Sequence, residues 1–286
     1  MNNAIVTLDV LHQGPMWGWY VTMNFWAKSV ATGVMLILPF LLMNKHDSKR
    51  IRLLTPALSF VFLNITLLFT LLDLHQPFRF WHMFVYPQFR SVLNLGAWFL
   101  SGLNGFLLLH VFFAWKDKED AYDKLLPVTW VVAAVATIYT AGLLGQANAR
   151  ELWQVGTELP QMILAALMAG SSALLLAKAG GEGARRPLAL ILGLATGVSL
   201  LIFLAEIWLA PQKSEEAEYM MHLLLSGELK MYFLPGLLLG FVLPVAAVLG
   251  ARRNPLVMAA ASVLSLTGLW LVKHAWLLAP QLLPLS

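Results

Sequence analysis

Long apolar runs dominate this sequence and are separated by short polar segments. A run of about 20 apolar residues is long enough for a helix to cross a hydrocarbon core of about 30 Å. The predicted spans are Met16 to Met43, Leu54 to Leu72, Ser91 to Trp115, Leu125 to Leu144, Leu159 to Lys178, Pro187 to Ala210, Lys230 to Gly250 and Pro255 to Ala279. The pattern therefore predicts an all-α, polytopic membrane protein with eight transmembrane helices.

The predicted spans divide most simply into two four-helix bundles. The N-terminal bundle is predicted to cover residues 1–145, and the C-terminal bundle residues 146–286. A flexible linker, Gly180 to Gly183, lies within the second of these regions, with apolar spans on both sides of it. No internal repeat is evident, so the inverted repeat of many secondary transporters is not indicated.

The composition limits the classes of function. Hydrophobic residues make up 59% of the chain and charged residues 12%, whereas soluble domains are about half apolar and about a quarter charged. Cysteine is absent, which excludes Cys-ligated iron–sulfur clusters, Cys-ligated zinc and disulfides in this chain. An iron–sulfur centre that works with this protein must therefore belong to a partner. The net positive charge comes from loops and does not indicate nucleic-acid binding.

Basic residues are concentrated in the connections that follow the odd-numbered spans. These residues are Lys45, Lys49, Arg50, Arg52, Lys116, Lys118, Lys124, Lys178, Arg185, Arg186, Arg252 and Arg253. Because cytoplasmic loops carry an excess of Lys and Arg, we expect these connections in the cytoplasm and both termini outside. The outer connections are also the longer ones. Among them, residues 73–90 are amphipathic and aromatic, as is typical of an interfacial or re-entrant element.

Three charged side chains, Lys28, Glu206 and Lys273, fall inside predicted spans, where a charge is costly and indicates function or pairing. At 1.5 Å per residue, Lys28 lies about 16 and 22 Å from the ends of its span, too far for its stem to reach either surface. Lys273 is close enough to the outer end to extend its ammonium to the surface, and Glu206 is intermediate. The three residues are candidates for a proton path, and neutralisation of Glu206 by Lys273 is an equally good explanation of that pair.

Of the seven histidines, only His110 and His274 lie within predicted spans. A bis-histidine haem needs two imidazoles that face each other at matching depth. Span three runs inward and span eight runs outward, so His110 is expected near the cytoplasmic end and His274 in the outer part. The sequence therefore predicts neither haem nor another metal site in this chain.

Polar and aromatic residues converge at the outer ends of spans one, two and four. Asp73, His75 and Arg79 place an acid, an imidazole and a fixed cation within seven residues, a combination that suits binding of a polar head group or proton exchange. The other spans contribute Trp17, Tyr20, Asn24 and Tyr139. For the tryptophans, an ordinary aromatic belt at the membrane interface is the alternative.

The segment DLHQPFRFW, residues 73–81, resembles the D-L-G-R-P-x-R-F-W motif that follows the second helix in the NrfD/PsrC family. That family comprises the quinone-interacting membrane subunits of polysulfide reductase, formate-linked nitrite reductase and their relatives. The start of span one, with WGWY at residues 17–20, Asn24, Lys28 and Gly33, is similar to the first helix of that family. His75 and Gln76 replace the Gly-Arg of the motif, so one of its two arginines is absent.

The resemblance implies an integral membrane subunit of a multi-subunit respiratory oxidoreductase in the cytoplasmic membrane of a bacterium or archaeon. It implies that menaquinone or ubiquinone binds at the outer end of the first four spans. A ferredoxin-like iron–sulfur subunit would dock on the outer face and connect to a catalytic subunit, often a molybdenum enzyme. In that scheme, His75 or Tyr20 binds a quinone carbonyl and Asp73 exchanges protons. Arg79 orients Asp73 or contacts the partner, and Lys28 relays a proton inward.

Two other functions remain open from the sequence. A secondary transporter or proton channel would act without a redox partner, and the broken spans expected of such a protein are suggested only by Pro235 and Pro244 in span seven. A passive membrane anchor for an extrinsic enzyme is the other alternative.

Overall fold

The computed structural model describes residues 15–43, 48–147 and 150–283. These residues form helices and turns with no strand among them. The helices are α1 (Trp19–Met43), α2 (Lys49–Asp73), α3 (His82–Val85), α4 (Val92–Trp115), α5 (Glu119–Leu144), α6 (Val155–Leu176), α7 (Gly181–Lys213), α8 (Glu215–Leu225), α9 (Lys230–Leu237), α10 (Leu243–Ala251) and α11 (Pro255–Leu278). Within this described part, eight segments are long and apolar enough to cross a membrane, namely α1, α2, α4, α5, α6, α7, α9 together with α10, and α11. The prediction of an all-α protein with eight transmembrane helices is confirmed.

Several helices extend beyond the apolar runs that predict them. Helix α2 begins at Lys49 rather than Leu54, because the Ser48 side chain caps it by accepting a hydrogen bond from the backbone N–H of Ile51 at 3.3 Å. Helices α5 and α7 also begin before their apolar runs. Hydropathy marks the part of a helix that lies in hydrocarbon, whereas capping and backbone hydrogen bonds decide where the helix ends.

The seventh span is irregular in its middle. Residues Leu238–Val242 form a π-helical turn between α9 and α10. Pro244 lies two residues after this turn, and a proline ring removes one backbone donor and crowds the preceding turn. A wider turn relieves that crowding without breaking the span.

The described ends of the chain meet on one face of the molecule. The backbone N–H of Trp17 donates to the side-chain oxygen of Gln281 at 2.9 Å, and the Gln281 amide donates back to the Trp17 carbonyl at 2.9 Å. Residues 74–91, the described parts 145–147 and 150–154 of the next connection, and residues 214–229 lie on this face, which we call the long-loop face. The opposite, short-loop face contains the brief connections 116–118, 177–180 and 252–254.

The membrane orientation of these two faces stays a prediction, with the long-loop face expected outside. Lys45, one of the residues on which that expectation depends, lies outside the described residues. So do residues 1–14 and 284–286, which contain the two termini.

Helix α1 lies between two apolar cores. One core joins α1 to α2, α4 and α5 through residues such as Leu38, Leu63 and Leu103. The larger core joins α1 to α6, α7 and α11 through residues such as Val34 and Met168. Because α1 contributes to both cores, the division of the chain into bundles at residues 145 and 146 stays a prediction.

The backbones of α1 and α6 come into direct contact at Gly33. A Cβ atom at Gly33 would lie 1.7 Å from the carbonyl oxygen of Ala166, and one at Gly170 would lie 2.3 Å from the carbonyl carbon of Gly33. Ala166 and Gly170 are four residues apart on α6 and form the small-residue face that close helix packing in membranes requires.

We expect the substitution Gly33→Ala to destabilise the protein by about 1–3 kcal/mol, because the added methyl group forces the packed α1 and α6 backbones apart. The measurement is the thermal unfolding midpoint of the purified protein in detergent. The matched control is Gly102→Ala on α4, where a Cβ atom meets nothing within 4 Å. An equal loss of stability in both variants would contradict the assigned contact.

Candidate functional site

The residues Asp73, His75 and Arg79 lie at the end of α2 and in the connection that crosses the long-loop face. Asp73 is partly buried, whereas His75 and Arg79 are exposed. His75 follows the end of α2 at Asp73 by two residues. The connection continues through a short 3-10 turn, Pro77–Arg79, and then α3. Most aromatic side chains of this connection are exposed, and Phe78 exposes 91% of its surface.

Tyr20 and Asn24 of α1 lie beside the last turns of α2. The Tyr20 and Phe69 rings are 6.1 Å apart between centroids, and the Asn24 amide donates to the Thr70 hydroxyl at 2.5 Å. Asp73 follows Phe69 and Thr70 by about one helical turn. These five residues, Tyr20, Asn24, Phe69, Thr70 and Asp73, form what we call the α1–α2 seam.

Lys28 lies one turn deeper on α1 than Asn24. Its side chain is 1% exposed, and its ammonium has no hydrogen-bond partner among the described residues. The Lys28 Nζ atom instead lies 4.6 Å from the centroid of the Tyr139 ring and 5.3 Å from that of Phe25. These cation–π contacts compensate only part of the cost of burying an ammonium group. The contact with the Tyr139 ring brings these two predicted site residues together, at a position deeper than Asn24.

Trp17 lies apart from the α1–α2 seam. Its ring packs on that of Trp153, with 5.3 Å between centroids. Its backbone makes two hydrogen bonds with the Gln281 side chain. Trp17 therefore joins the start of α1 to the second half of the chain. Of the four predicted binding residues, the structure brings Tyr20 and Asn24 together, with Tyr139 deeper and Trp17 elsewhere.

Glu206 and Lys273 do not form the ion pair that the sequence left open. Glu206 is 8% exposed and accepts a hydrogen bond from Lys213 at 2.6 Å. Lys213 lies seven residues further along α7, so it reaches back over two helical turns. The Lys273 ammonium donates a hydrogen bond to the Sδ atom of Met162 at 3.5 Å. Its attractive electrostatic partner is Glu158.

Glu158 is a candidate residue that sequence reasoning missed. The apolar pattern begins the fifth span at Leu159, but α6 begins at Val155 and so carries Glu158 into the helix. The side chain is 4% exposed and accepts a hydrogen bond from the Trp276 indole at 2.8 Å. Residues 155–158 are mostly small or polar, so hydropathy gives no signal for this burial.

Glu158 and Lys273 both line a cavity between α1, α5, α6, α7 and α11, which we call the inter-half cavity. The space between its lining atoms is about 480 Å³, including its open mouth. Most of the wall is apolar. The remaining polar side chains are Gln161 and Ser199, which are bonded to each other at 2.5 Å.

The two histidines within spans occupy different surroundings. His110 Nε2 lies 2.9 Å from the Thr129 hydroxyl near the short-loop face, and His274 Nδ1 lies 2.9 Å from the Thr22 hydroxyl near the long-loop face. The two imidazoles therefore do not face each other. In the part of the chain that the structure describes, no group of three or more His, Asp and Glu side chains is arranged to hold a metal ion.

Comparison with known proteins gives two findings. Residues 10–284 match the protein family described as polysulphide reductase, NrfD. The sequence is also similar to a selenate reductase subunit from Mesobacillus selenatarsenatis, with 24% identity over 237 residues. That alignment covers 66% of this chain and 56% of the relative, so the chain spans little more than half the length of that protein.

We expect the substitution Lys28→Met to stabilise the isolated chain by about 1–3 kcal/mol, because it removes a buried ammonium without a hydrogen-bond acceptor. The thermal unfolding midpoint in detergent measures the effect. Lys124→Met, at an exposed position on α5, is the control and should shift the midpoint little. A lower midpoint for Lys28→Met would mean that the ammonium stabilises the fold.

Proposed function

This chain belongs to the NrfD family, and on that premise we propose that it is the membrane subunit of a multi-subunit respiratory oxidoreductase that binds a quinone. The family match over residues 10–284 is the observation that carries the proposal. The similarity to a protein named as a selenate reductase subunit supports the same class of complex. We place the complex in the cytoplasmic membrane of a bacterium or archaeon.

The α1–α2 seam supplies the groups that a quinone head group requires. A bound menaquinone or ubiquinone supplies two-electron, two-proton chemistry at its carbonyl oxygens. Tyr20 offers a hydroxyl donor next to the aromatic wall formed with Phe69. One turn deeper than Asn24, the Lys28 ammonium is buried with no acceptor among the described residues. A buried hydrogen-bond donor without an acceptor, placed beside aromatic rings, is suited to bind a ligand that carries a carbonyl group.

The proposed proton chemistry belongs to the outer end of this seam. Asp73 exchanges protons with the solvent at the long-loop face, because it is only partly buried. His75, two residues after Asp73, or Tyr20 holds the carbonyl oxygen. Arg79 orients Asp73 or contacts the partner subunit. Lys28 lies below these groups and relays a proton inward, and Lys273 and Glu206 extend the path into the second half of the protein.

The long-loop face is the proposed docking surface for a ferredoxin-like iron–sulfur subunit. The connection after α2 exposes Phe78 and Phe89 at 91% and 69% of their surfaces, and exposed aromatic patches are typical of interaction sites. The chain has no cysteine, so electrons must come from or go to clusters held by that partner. A catalytic subunit, often a molybdenum enzyme in this family, completes the proposed complex.

Replacing Asp73 by Asn or His75 by Ala in the assembled complex is expected to lower quinone-linked turnover by roughly 100-fold or more, as loss of a positioned proton-transfer group does. Turnover with an artificial dye at the catalytic subunit should stay unchanged. The control is Gln88→Ala, an exposed residue of the same connection. Unchanged quinone turnover in both Asp73→Asn and His75→Ala would refute the site assignment. Absence of quinone binding by the wild-type complex would favour a passive anchor.

A further inference from the structure

We propose that Glu158 and Lys273 form an acid–base pair that exchanges a proton across the inter-half cavity. The proposal rests on the proposed function, since proton exchange at a quinone needs a route for the proton. It adds a residue, Glu158, and a second location beyond the α1–α2 seam.

The two side chains face the same space with unused hydrogen-bonding capacity. Glu158 is held by the Trp276 indole, which donates to one carboxylate oxygen. The Lys273 ammonium makes no direct ion pair with a described carboxylate, and its hydrogen-bond contact is with the Met162 sulfur at 3.5 Å. Sulfur is a weak acceptor and an ammonium has three donors. Lys273 therefore keeps donors that can point into the cavity toward Glu158.

Water can bridge the remaining distance between them. A water molecule occupies about 30 Å³ in the liquid and needs two to four polar partners. The volume of the inter-half cavity that water can occupy is about 40 Å³, which is enough for one or more waters, and its polar side chains include Gln161 and Ser199 in addition to the charged pair. A cavity with room for water and with polar side chains on an otherwise apolar wall satisfies the conditions for hydration.

Proton transfer from Lys273 to Glu158 costs little free energy in a medium of low dielectric constant. An N–H bond of the Lys273 ammonium breaks, an O–H bond forms on the Glu158 carboxylate, and the intervening waters shift one proton each. An ammonium and a carboxylate become an amine and a carboxylic acid, so the net charge of the pair does not change. Burial penalises the separated charges far more than it penalises the neutral groups.

The surrounding charges couple the pair to both halves of the protein. On α1, Lys28 repels the Lys273 ammonium. On α7, Glu206 repels the Glu158 carboxylate and is itself paired with Lys213. These charged side chains therefore interact in sequence, from Lys28 at the centre of α1 to Lys213 at the end of α7.

The competing explanation is that Glu158 is only a brace between α6 and α11. The substitution Glu158→Gln separates the two, because an amide oxygen still accepts the Trp276 hydrogen bond but cannot take up a proton. Glu158→Asp is the rescue variant, since it restores a carboxyl group at nearly the same place. Glu182→Gln removes an exposed carboxylate on the opposite face and is the matched control.

The experiment is infrared spectroscopy of the full chain in lipid nanodiscs, with glutamate labelled by ¹³C. We expect a carbonyl stretching band of a buried protonated carboxylic acid that disappears in Glu158→Gln, persists in Glu182→Gln and returns, shifted, in Glu158→Asp. In D₂O the band should exchange rapidly, and Lys273→Met should slow that exchange by about 100-fold, the scale of a positioned proton donor. Lys124→Met should leave it unchanged.

A band set that is identical in wild type and Glu158→Gln would overturn the proposal, as would exchange that does not depend on Lys273. In either case Glu158 is a structural brace. Because these measurements need neither quinone nor partner, they fail independently of the proposed function, which is tested by the Asp73 and His75 variants.

Discussion

The contact between the backbones of α1 and α6 at Gly33 is the constraint on which the arrangement of this protein depends. It holds α1 against both halves at once, so one side of α1 faces α2 and the other faces α6 and α11. Asn24 consequently meets Thr70 on α2, while Phe25 lines the inter-half cavity. Neither the seam nor the cavity would have its present walls if a side chain separated these two backbones.

Many buried hydroxyl groups in the spans are satisfied by their own helix. Ser29, Thr32 and Thr137 each donate to the carbonyl oxygen four residues earlier, at 2.8, 3.0 and 2.8 Å. Such bonds make a hydroxyl inexpensive in a membrane helix and carry no functional signal. Lys28 differs, because an ammonium cannot be satisfied in this way and, of the charged groups in the described residues, it is the one buried without a hydrogen-bond partner. A buried charge without a hydrogen-bond partner, rather than polarity alone, is what distinguishes the proposed site.

The sequence predicted the parts of this structure that follow from the cost of exposing polar groups to lipid. Eight spans, the absence of strands in the described residues and the elaborated long-loop face all come from that single cost. Which helix faces which is decided by packing between surfaces that are equally apolar, so hydropathy could not reveal that Glu206 pairs with Lys213 rather than Lys273. Hydropathy did not predict the burial of Glu158 for a related reason, because α6 begins before the apolar run that predicts this helix.

The position of α1 has a consequence for how the protein is made. During synthesis α1 enters the membrane before the other seven spans, yet its contacts with α6 and α11 form only after most of the chain has followed. Until then, the lysine at its centre lacks the enclosure seen in the finished protein, at a cost of about 2.5–3.5 kcal/mol for a charge in the middle of a newly inserted helix. The first span must therefore stay inserted before its final neighbours have been made. The favourable transfer of the apolar residues around Lys28 into the membrane offsets the cost of its charge during that period.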